Sequence, residues 1–263
     1  MNRIDKKFKE LRRQKKKAFI AYITAGDPSL AMTENIVITL EKSGVDIIEI
    51  GIPFSDPLAD GPTIQAASQR ALEKRVNLKD ILGMAKRLRV RTDIPIVFMT
   101  YFNPVLKYGL ERFFKSCGAS GVDGLIVPDL PCEEAKDLIA LGKSSGLSTI
   151  FLIAPTSTPT RIKNIAKNSR GFIYYVSLTG VTGARERLPN EIVSNVRLIK
   201  SMTDKPVAVG FGISNPDQAR GIAKVADGVI VGSAIVKVIG EERAAISKIS
   251  NFAKGLARAI HNA

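Results

Sequence analysis

Two carboxylates are placed where they could move a proton. Glu49 interrupts an apolar run at residues 47–51, and Asp60 follows eleven residues later in a loop rich in Asp, Gly and Pro. Burial favours the neutral form of a carboxyl group, so a buried Glu49 would exchange its proton near neutral pH. A second carboxylate close to it could stabilise positive charge on a substrate. The pair predicts acid–base chemistry. The alternatives are that Glu49 pairs with a nearby Lys and that Asp56 and Asp60 only cap turns.

Glycines follow two later apolar runs, at residues 210–214 (Gly-Phe-Gly-Ile-Ser) and 232–234 (Gly-Ser-Ala). Glycine lets backbone N–H groups approach an anion closely, and the N-terminus of a helix adds a favourable dipole. The loops after the last two strands of a (β/α)8 barrel commonly hold phosphate in this way. The pattern therefore favours a phosphate site over plain turns, with Gly180 and Gly183 of an earlier loop as further candidates.

The elements that must position these residues recur along the chain. Short apolar runs rich in β-branched residues alternate with segments of helical spacing. The runs lie at residues 18–24, 45–51, 94–100, 122–128, 148–155, 171–177, 206–212 and 227–233. Asp27-Pro28, Thr158-Pro159 and Asn215-Pro216 are each typical of a helix start, with an N-cap side chain followed by Pro. Near-continuous apolar runs with long connections indicate parallel strands covered by helices. We expect an α/β protein with one (β/α)8 TIM barrel, and a doubly wound open sheet is the alternative.

The N-terminal segment carries much of the positive charge. Residues 1–17 hold nine Lys and Arg against two acids, which contributes +7 to a net charge of +14. Ile4, Phe8 and Leu11 follow helical spacing, so the segment predicts an amphipathic helix with a solvated basic face. Attraction to phosphate or RNA is the alternative, but no RNA-binding motif is present and no nucleic-acid partner is expected. The expected organisation is a single domain over residues 1–263, with this helix at 1–17 and the barrel over about 18–263.

Several classes of protein and site are excluded by composition. No apolar run approaches the roughly 18 residues that a membrane span needs. The charged N-terminus lacks the apolar core of a secretory signal, so we expect the cytoplasm, or an organelle stroma if a transit peptide has been removed. Cys117 and Cys132 have no second ligand at metal-binding spacing, and His261 is the third residue from the end. A metal site, a disulfide framework and His-based catalysis are therefore not expected.

Longer motifs give the chain a family resemblance. The segment Glu-Ile-Gly-Ile-Pro-Phe-Ser-Asp-Pro-Leu-Ala-Asp-Gly-Pro-Thr-Ile-Gln at residues 49–65 closely resembles the signature of tryptophan synthase α subunits. Segments at residues 24–28, 101–104, 124–131, 180–183, 210–214 and 232–236 resemble the same family. The resemblance extends over about residues 18–240 and implies a TIM barrel that cleaves indole-3-glycerol phosphate to indole and glyceraldehyde 3-phosphate. It also implies an αββα assembly in which indole passes to a β subunit that holds pyridoxal phosphate, with no cofactor in this chain.

The resemblance assigns roles to particular residues. Glu49 would protonate indole C3 and take the proton of the glycerol hydroxyl, and Asp60 would accept a hydrogen bond from the indole N–H. Tyr174 would support the site, and Thr182 would close over it and orient Asp60. Backbone groups would hold the phosphate at Gly183, Gly212, Ile213, Gly232 and Ser233. The indole wall would contain Tyr22, Met99, Thr100 and Ile126.

Three alternative functions follow from these observations, together with one expectation for the partner surface. The chain could be the lyase described above, another phosphate-binding barrel enzyme, or a non-catalytic barrel that binds and activates a partner. Intact Glu49 and Asp60 favour the lyase. Loops 53–62 and 178–189 are expected to be mobile in the isolated chain. A β subunit would dock against this end of the barrel, with Asp56, Pro57 and the loops at 101–108 and 129–134 at the interface.

Overall fold

The computed structural model describes residues 1–176, 190–210, 212–241 and 245–263. Its strands are β1 (Ala18–Thr24), β2 (Ile47–Gly51), β3 (Ile96–Met99), β4 (Gly124–Ile126), β5 (Ser148–Ile150), β6 (Leu152–Ile153), β7 (Ile173–Val176), β8 (Val207–Gly210) and β9 (Gly228–Val231). Its helices are α1 (Arg3–Arg13), α2 (Leu30–Lys42), α3 (Pro62–Glu73), α4 (Leu78–Arg91), α5 (Phe102–Tyr108), α6 (Leu110–Ala119), α7 (Lys136–Ser144), α8 (Pro159–Asn168), α9 (Asn190–Ser201), α10 (Pro216–Ala223), α11 (Ser233–Gly240) and α12 (Ile246–His261).

The strands form a barrel. They pair in parallel in the order β5-β4-β3-β2-β1-β9-β8-β7-β6. The two ends of this order, β5 and β6, are separated in the chain by Phe151 alone. Ile150 pairs with β4 and Leu152 pairs with β7, so residues 148–153 are one continuous strand that changes partner half-way. The predicted TIM barrel is confirmed, and the run predicted at 148–155 is the strand that closes it.

Successive side chains along each strand point to opposite faces of the sheet, and this separates two hydrophobic layers. Ala18, Ile20, Ile47, Val97 and other inward side chains form a cluster inside the barrel. The side chains between them, such as Phe19 and Ile48, pack in a larger outer cluster with the helices. Because side chains in a strand point alternately to opposite faces, Glu49 lies on the inward side with Ile47.

Helix α1 closes the N-terminal end of the barrel. Ile4, Phe8 and Leu11 are buried in the inner cluster, and the Phe8 ring packs 5.7 Å from the Phe172 ring, centroid to centroid. The Asn2 side chain caps the helix by accepting from the Ile4 N–H. The predicted amphipathic helix is confirmed, with bounds narrower than residues 1–17. The barrel is thereby filled from below, which leaves the C-terminal ends of the strands as the open end.

The predicted helix starts have two outcomes. Thr158 and Asn215 are N-caps, as expected. The expected start at Asp27-Pro28 is wrong, because Ser29 caps α2 instead. The buried Asp27 carboxylate accepts two hydrogen bonds from Arg70, at 2.9 and 2.6 Å, and such a charge-assisted pair is stronger than a cap.

In the part of the chain described here, no helix is long and apolar enough to cross a membrane. The expected single domain over residues 1–263 stays a prediction.

Candidate active site

Glu49 lies inside the barrel, next to Tyr22 of β1 and Val97 of β3 in the strand register. Its residue surface is only 1% exposed, and within the described residues neither carboxylate oxygen has a hydrogen-bond partner. Burial, followed by the negative charge of Asp60, raises the pKa of Glu49 to about 8. The carboxyl group is therefore mostly protonated at neutral pH and can still give up its proton. The alternative pairing with a Lys is not what the structure shows.

Asp60 faces the same space from the loop between β2 and α3. Burial raises the pKa of Asp60 to about 6, and a hydrogen bond with Tyr101 opposes this rise. The Tyr101 hydroxyl also accepts from the Ala59 N–H at 2.9 Å. The Tyr101 ring packs against Phe54, with 5.4 Å between centroids. Tyr101 thus holds the Asp60 loop at two points.

Tyr101 contacts the Asp60 loop, and the sequence interpretation did not single it out. A signal was available, because Tyr101 lies two residues after the end of β3, and side chains at the C-terminal ends of barrel strands line active sites. Its link to Asp60 was not visible, since the two residues are 41 positions apart and meet only through the fold of the loop.

Two tyrosines, the buried Tyr22 and the half-buried Tyr174, flank Glu49. Tyr22 and Tyr174 have pKa values raised well above 10, first by burial, and the charges of Glu49 and Asp60 act on both. Each ring lies against a glycine. A Cβ atom at Gly51 would lie 2.0 Å from the Tyr22 hydroxyl, and one at Gly210 would lie 2.6 Å from the Tyr174 hydroxyl. Only bare backbone leaves room for these phenols, since real Cβ atoms essentially never approach within 3.0 Å.

The predicted phosphate residues lie at neighbouring turns. Strands β8 and β9 are paired, with Gly210 opposite Ile230, so the turns that follow them lie side by side. Gly212 has a φ of +69°, a left-handed conformation that favours glycine, and Ile213 beside it is buried. Gly232 is the N-cap of α11 without a side-chain cap, and the helix begins at Ser233. The first N–H groups of a helix have no partner within it and attract anions. Thr182, Gly183 and Gly180 lie outside the described residues.

The predicted indole wall is only partly assembled. Tyr22 and Met99 pack in one small cluster near the mouth, and Ile126 lies deeper in the inner cluster. Thr100 follows Met99 and therefore faces the opposite side of the strand. Its hydroxyl donates to the Tyr101 carbonyl at 3.2 Å. The structure brings Tyr22, Met99 and Ile126 to the interior and turns Thr100 away from it.

The structure also places the histidine and the two cysteines, for which no catalytic role is expected. His261 contacts Asp46, with 2.9 Å between Nε2 and Oδ2, at the end of α12. Cys117 and Cys132 are free and buried. Over residues 1–176, 190–210, 212–241 and 245–263, no three His, Cys, Asp or Glu side chains are grouped to hold a metal ion.

Comparison with known proteins places this barrel in a family. The family model described as tryptophan synthase alpha chain matches residues 8–261. The chain belongs to the tryptophan synthase alpha chain family. Relatives include the alpha chain of Geobacter sulfurreducens, 50% identical over 100% of both chains. Another, from Caldanaerobacter subterraneus subsp. tengcongensis, is 52% identical over 92% of each.

Solved structures agree with this assignment. The tryptophan synthase alpha subunit of Legionella pneumophila has a TM-score of 0.93 at 37% identity, covering 100% of both chains. A Mycobacterium tuberculosis tryptophan synthase chain has a TM-score of 0.91 at 38% identity, covering 99% of this chain and 98% of that one. The predicted family and lyase activity are confirmed: as a tryptophan synthase alpha chain, the protein cleaves indole-3-glycerol phosphate in tryptophan biosynthesis. An alpha chain also implies a beta-subunit partner.

Proposed function

We propose that Glu49 is the general acid and base of a retro-aldol cleavage in which Asp60 stabilises the charged intermediate. Protonated Glu49 gives its proton to indole C3, which leaves a cationic indolenine. The Glu49 carboxylate then takes the proton of the hydroxyl on the carbon attached to C3. The carbon–carbon bond breaks, that carbon becomes the aldehyde of glyceraldehyde 3-phosphate, and its electron pair restores indole. Glu49 ends protonated, so the cycle closes.

The observation that carries this proposal is the state of Glu49. A carboxyl group with a pKa of about 8 is mostly an acid at neutral pH, and its two oxygens have no partner in the described residues to compete with substrate. Asp60, with a pKa of about 6, is mostly ionised at the same pH and can accept from the indole N–H. The two environments thus separate an acid from an anion, as proton transfer with charge stabilisation requires.

The remaining roles are supported by position for the described residues and by the family resemblance for Thr182 and Gly183. We propose that backbone N–H groups around Gly212, Ile213, Gly232 and Ser233 hold the substrate phosphate, together with Gly183. Thr182 would orient Asp60 when the sixth loop closes. Tyr22, Met99 and Ile126 would line the indole side, with Tyr174 next to Glu49. Thr100 stays a proposed neighbour of this wall rather than part of its surface.

The partner is proposed to be a β subunit in an αββα tetramer. It would hold pyridoxal phosphate, and this chain would carry no cofactor of its own. Two large apolar side chains are exposed at the same end of the barrel as the site: Leu58 is 94% exposed and Leu106 is 59% exposed. They follow neighbouring strands, β2 and β3, and lie in the loop and helix next to Asp60 and Tyr101. Exposed apolar residues rimmed by polar ones suit a protein interface.

Cleavage of indole-3-glycerol phosphate by the purified chain, with and without a pyridoxal-phosphate β subunit, tests this function. We expect slow release of indole alone and about 5–150-fold activation by the partner, as a coupling of 1–3 kcal/mol would give. Asp60→Asn should lower kcat more than KM, because it removes charge stabilisation in the transition state. Asp80→Asn, at an exposed carboxylate in the first turn of α4, is the matched control and should behave as wild type. Absence of indole release under both conditions would contradict the proposed function.

A further inference from the structure

Tyr22 occupies a defined place between the elements of the site. It pairs with Glu49 across β1 and β2, and its ring leans over Gly51 toward the open end. The ring packs against Ala67 of α3, the helix that follows the Asp60 loop, and against Val236 of α11. A Cβ atom at Gly232 would lie 3.4 Å from the Tyr22 Cβ. The ring is therefore held by contacts on several sides, and the hydroxyl lies over Gly51.

The groups that face Glu49 limit what can stabilise its charge. They are Asp60 in the loop after β2, Tyr22 on β1 and Tyr174 on β7, while Tyr101 after β3 faces Asp60. No cation is among them. Once Glu49 has given its proton to substrate, it becomes a buried carboxylate, and among these described groups the tyrosine hydroxyls can donate a hydrogen bond to it. Tyr22 keeps its proton under these conditions, because burial raises its pKa well above 10.

We propose that Tyr22 is a positioning residue of the Glu49–Asp60 pair: its hydroxyl donates a hydrogen bond to Glu49 when that carboxyl group has lost its proton, and Gly51 keeps open the space that the hydroxyl occupies. The inference rests on the proposed roles of Glu49 and Asp60. It goes beyond the indole-wall role of Tyr22, because a wall residue needs only a ring, whereas this role needs the oxygen. It also explains why Gly51, the next inward-facing residue of β2 after Glu49, is a glycine.

Tyr22→Phe tests the role of the oxygen. A hydrogen bond to a charged group contributes about 1.5–3 kcal/mol, so its loss should lower kcat about 10-fold or more. The same loss disfavours ionised Glu49, so the alkaline limb of the kcat profile should move up by about one pH unit. Tyr175→Phe is the matched control, since the Tyr175 hydroxyl accepts from Asn195 at 2.9 Å. It lies in the outer layer of the barrel, and both values should stay as in wild type.

A titration without substrate separates this inference from the proposed function. The carboxyl stretch of Glu49 can be followed by infrared difference spectroscopy against pH, with Glu49→Gln as the blank. We expect the midpoint to be higher in Tyr22→Phe than in wild type. An unchanged midpoint and an unchanged alkaline limb, with only KM altered, would overturn the inference and leave Tyr22 as a wall residue. Failure of wild-type turnover would instead contradict the proposed function, while the infrared midpoint would still report on Tyr22.

Gly51→Ala tests whether the Tyr22 hydroxyl needs the space that Gly51 leaves open. The added Cβ would displace the Tyr22 hydroxyl, so the variant should reproduce the pH shift of Tyr22→Phe while keeping the phenol. If Gly51→Ala folds poorly, Tyr22→Leu with Gly51→Ala removes the colliding atoms. This double variant should recover the melting temperature but keep the raised Glu49 midpoint. A folded Gly51→Ala, or a double variant, with a wild-type midpoint would overturn the inference.

Discussion

Asp123 at the N-terminal end of the barrel and Glu49 near its C-terminal end are both buried carboxylates, but they differ in their partners. The Asp123 carboxylate accepts from Arg89 and Arg3, each at 3.1 Å, and from the Ile96 N–H at 2.9 Å. Glu49, which is also buried, has no hydrogen bond in the described part of the chain. The same functional group is thus fully paired at one end of the sheet and left unpaired at the other.

The two pKa values show what this difference does. Burial raises the pKa of both groups. For Asp123 the Ile96 N–H and the two guanidinium groups act against that rise, whereas for Glu49 the charge of Asp60 adds to it. Pairing fixes the Asp123 carboxylate in place, so that it connects α1, α4 and the start of β3 to the start of β4. Absence of pairing keeps a proton available. The N-terminal end of a barrel serves stability and the C-terminal end serves chemistry, and here one functional group, the carboxylate, shows both.

The largest effect expected from this comparison concerns catalysis at Glu49. Glu49→Gln preserves the shape of the side chain but cannot transfer a proton, so indole-3-glycerol phosphate cleavage should fall by about 10²–10⁴-fold or more. Affinity for a non-cleavable substrate analogue should stay close to that of wild type. Glu73→Gln, an exposed residue at the end of α3, provides the control. Retention of a tenth of wild-type turnover by Glu49→Gln would show that another group supplies the proton.

The sequence predicted the role of the buried carboxylate at the C-terminal end of the barrel, but not that of the carboxylate at the N-terminal end. Glu49 was predicted because an ionisable residue among isoleucines needs a reason to be buried there. Asp123 also begins an apolar run, but its meaning depends on Arg3 and Arg89, which lie 120 and 34 positions away in the chain. Periodicity and composition report local structure, and they do not show which distant cation a carboxylate will meet.

Helix α1 illustrates the same limit. The spacing of Ile4, Phe8 and Leu11 predicted a helix with one apolar face, and that prediction is confirmed. Spacing could not show that this face fills the barrel from below, because the inner cluster exists only once the strands have closed. In the same way, the strand bounds and the glycine-containing turns after β8 and β9 were close to prediction, whereas the contact of Tyr101 with the Asp60 loop required the folded loop.

A smaller effect should appear in the pH dependence of stability. Unfolded Glu49 loses its proton near pH 4.5, whereas the folded group keeps it to about pH 8. The free energy of unfolding should therefore fall as pH rises through this window and level off above it, by at most about 5 kcal/mol. Glu49→Gln has no such proton, so its stability relative to wild type should increase from pH 4.5 to pH 8. Urea unfolding at several pH values measures this difference, in which the contribution of Asp60 cancels. A constant difference would show that Glu49 is not buried in its neutral form.

The smallest effect concerns Asp123. Asp123→Asn keeps the shape but leaves Arg89, whose side chain is 13% exposed, without its anion. Loss of one member of a buried ion pair should lower the free energy of unfolding by about 3 kcal/mol. Asp93→Asn is the matched control, because Asp93 pairs with the same Arg3 but is 93% exposed, and such surface pairs contribute little. Urea unfolding gives the stability of each variant, and indole release per folded molecule gives its activity. Activity should be unchanged in both variants, because Asp123 lies at the end of the barrel opposite Glu49. A loss of activity in Asp123→Asn without a loss of stability would contradict the division of roles between the two ends.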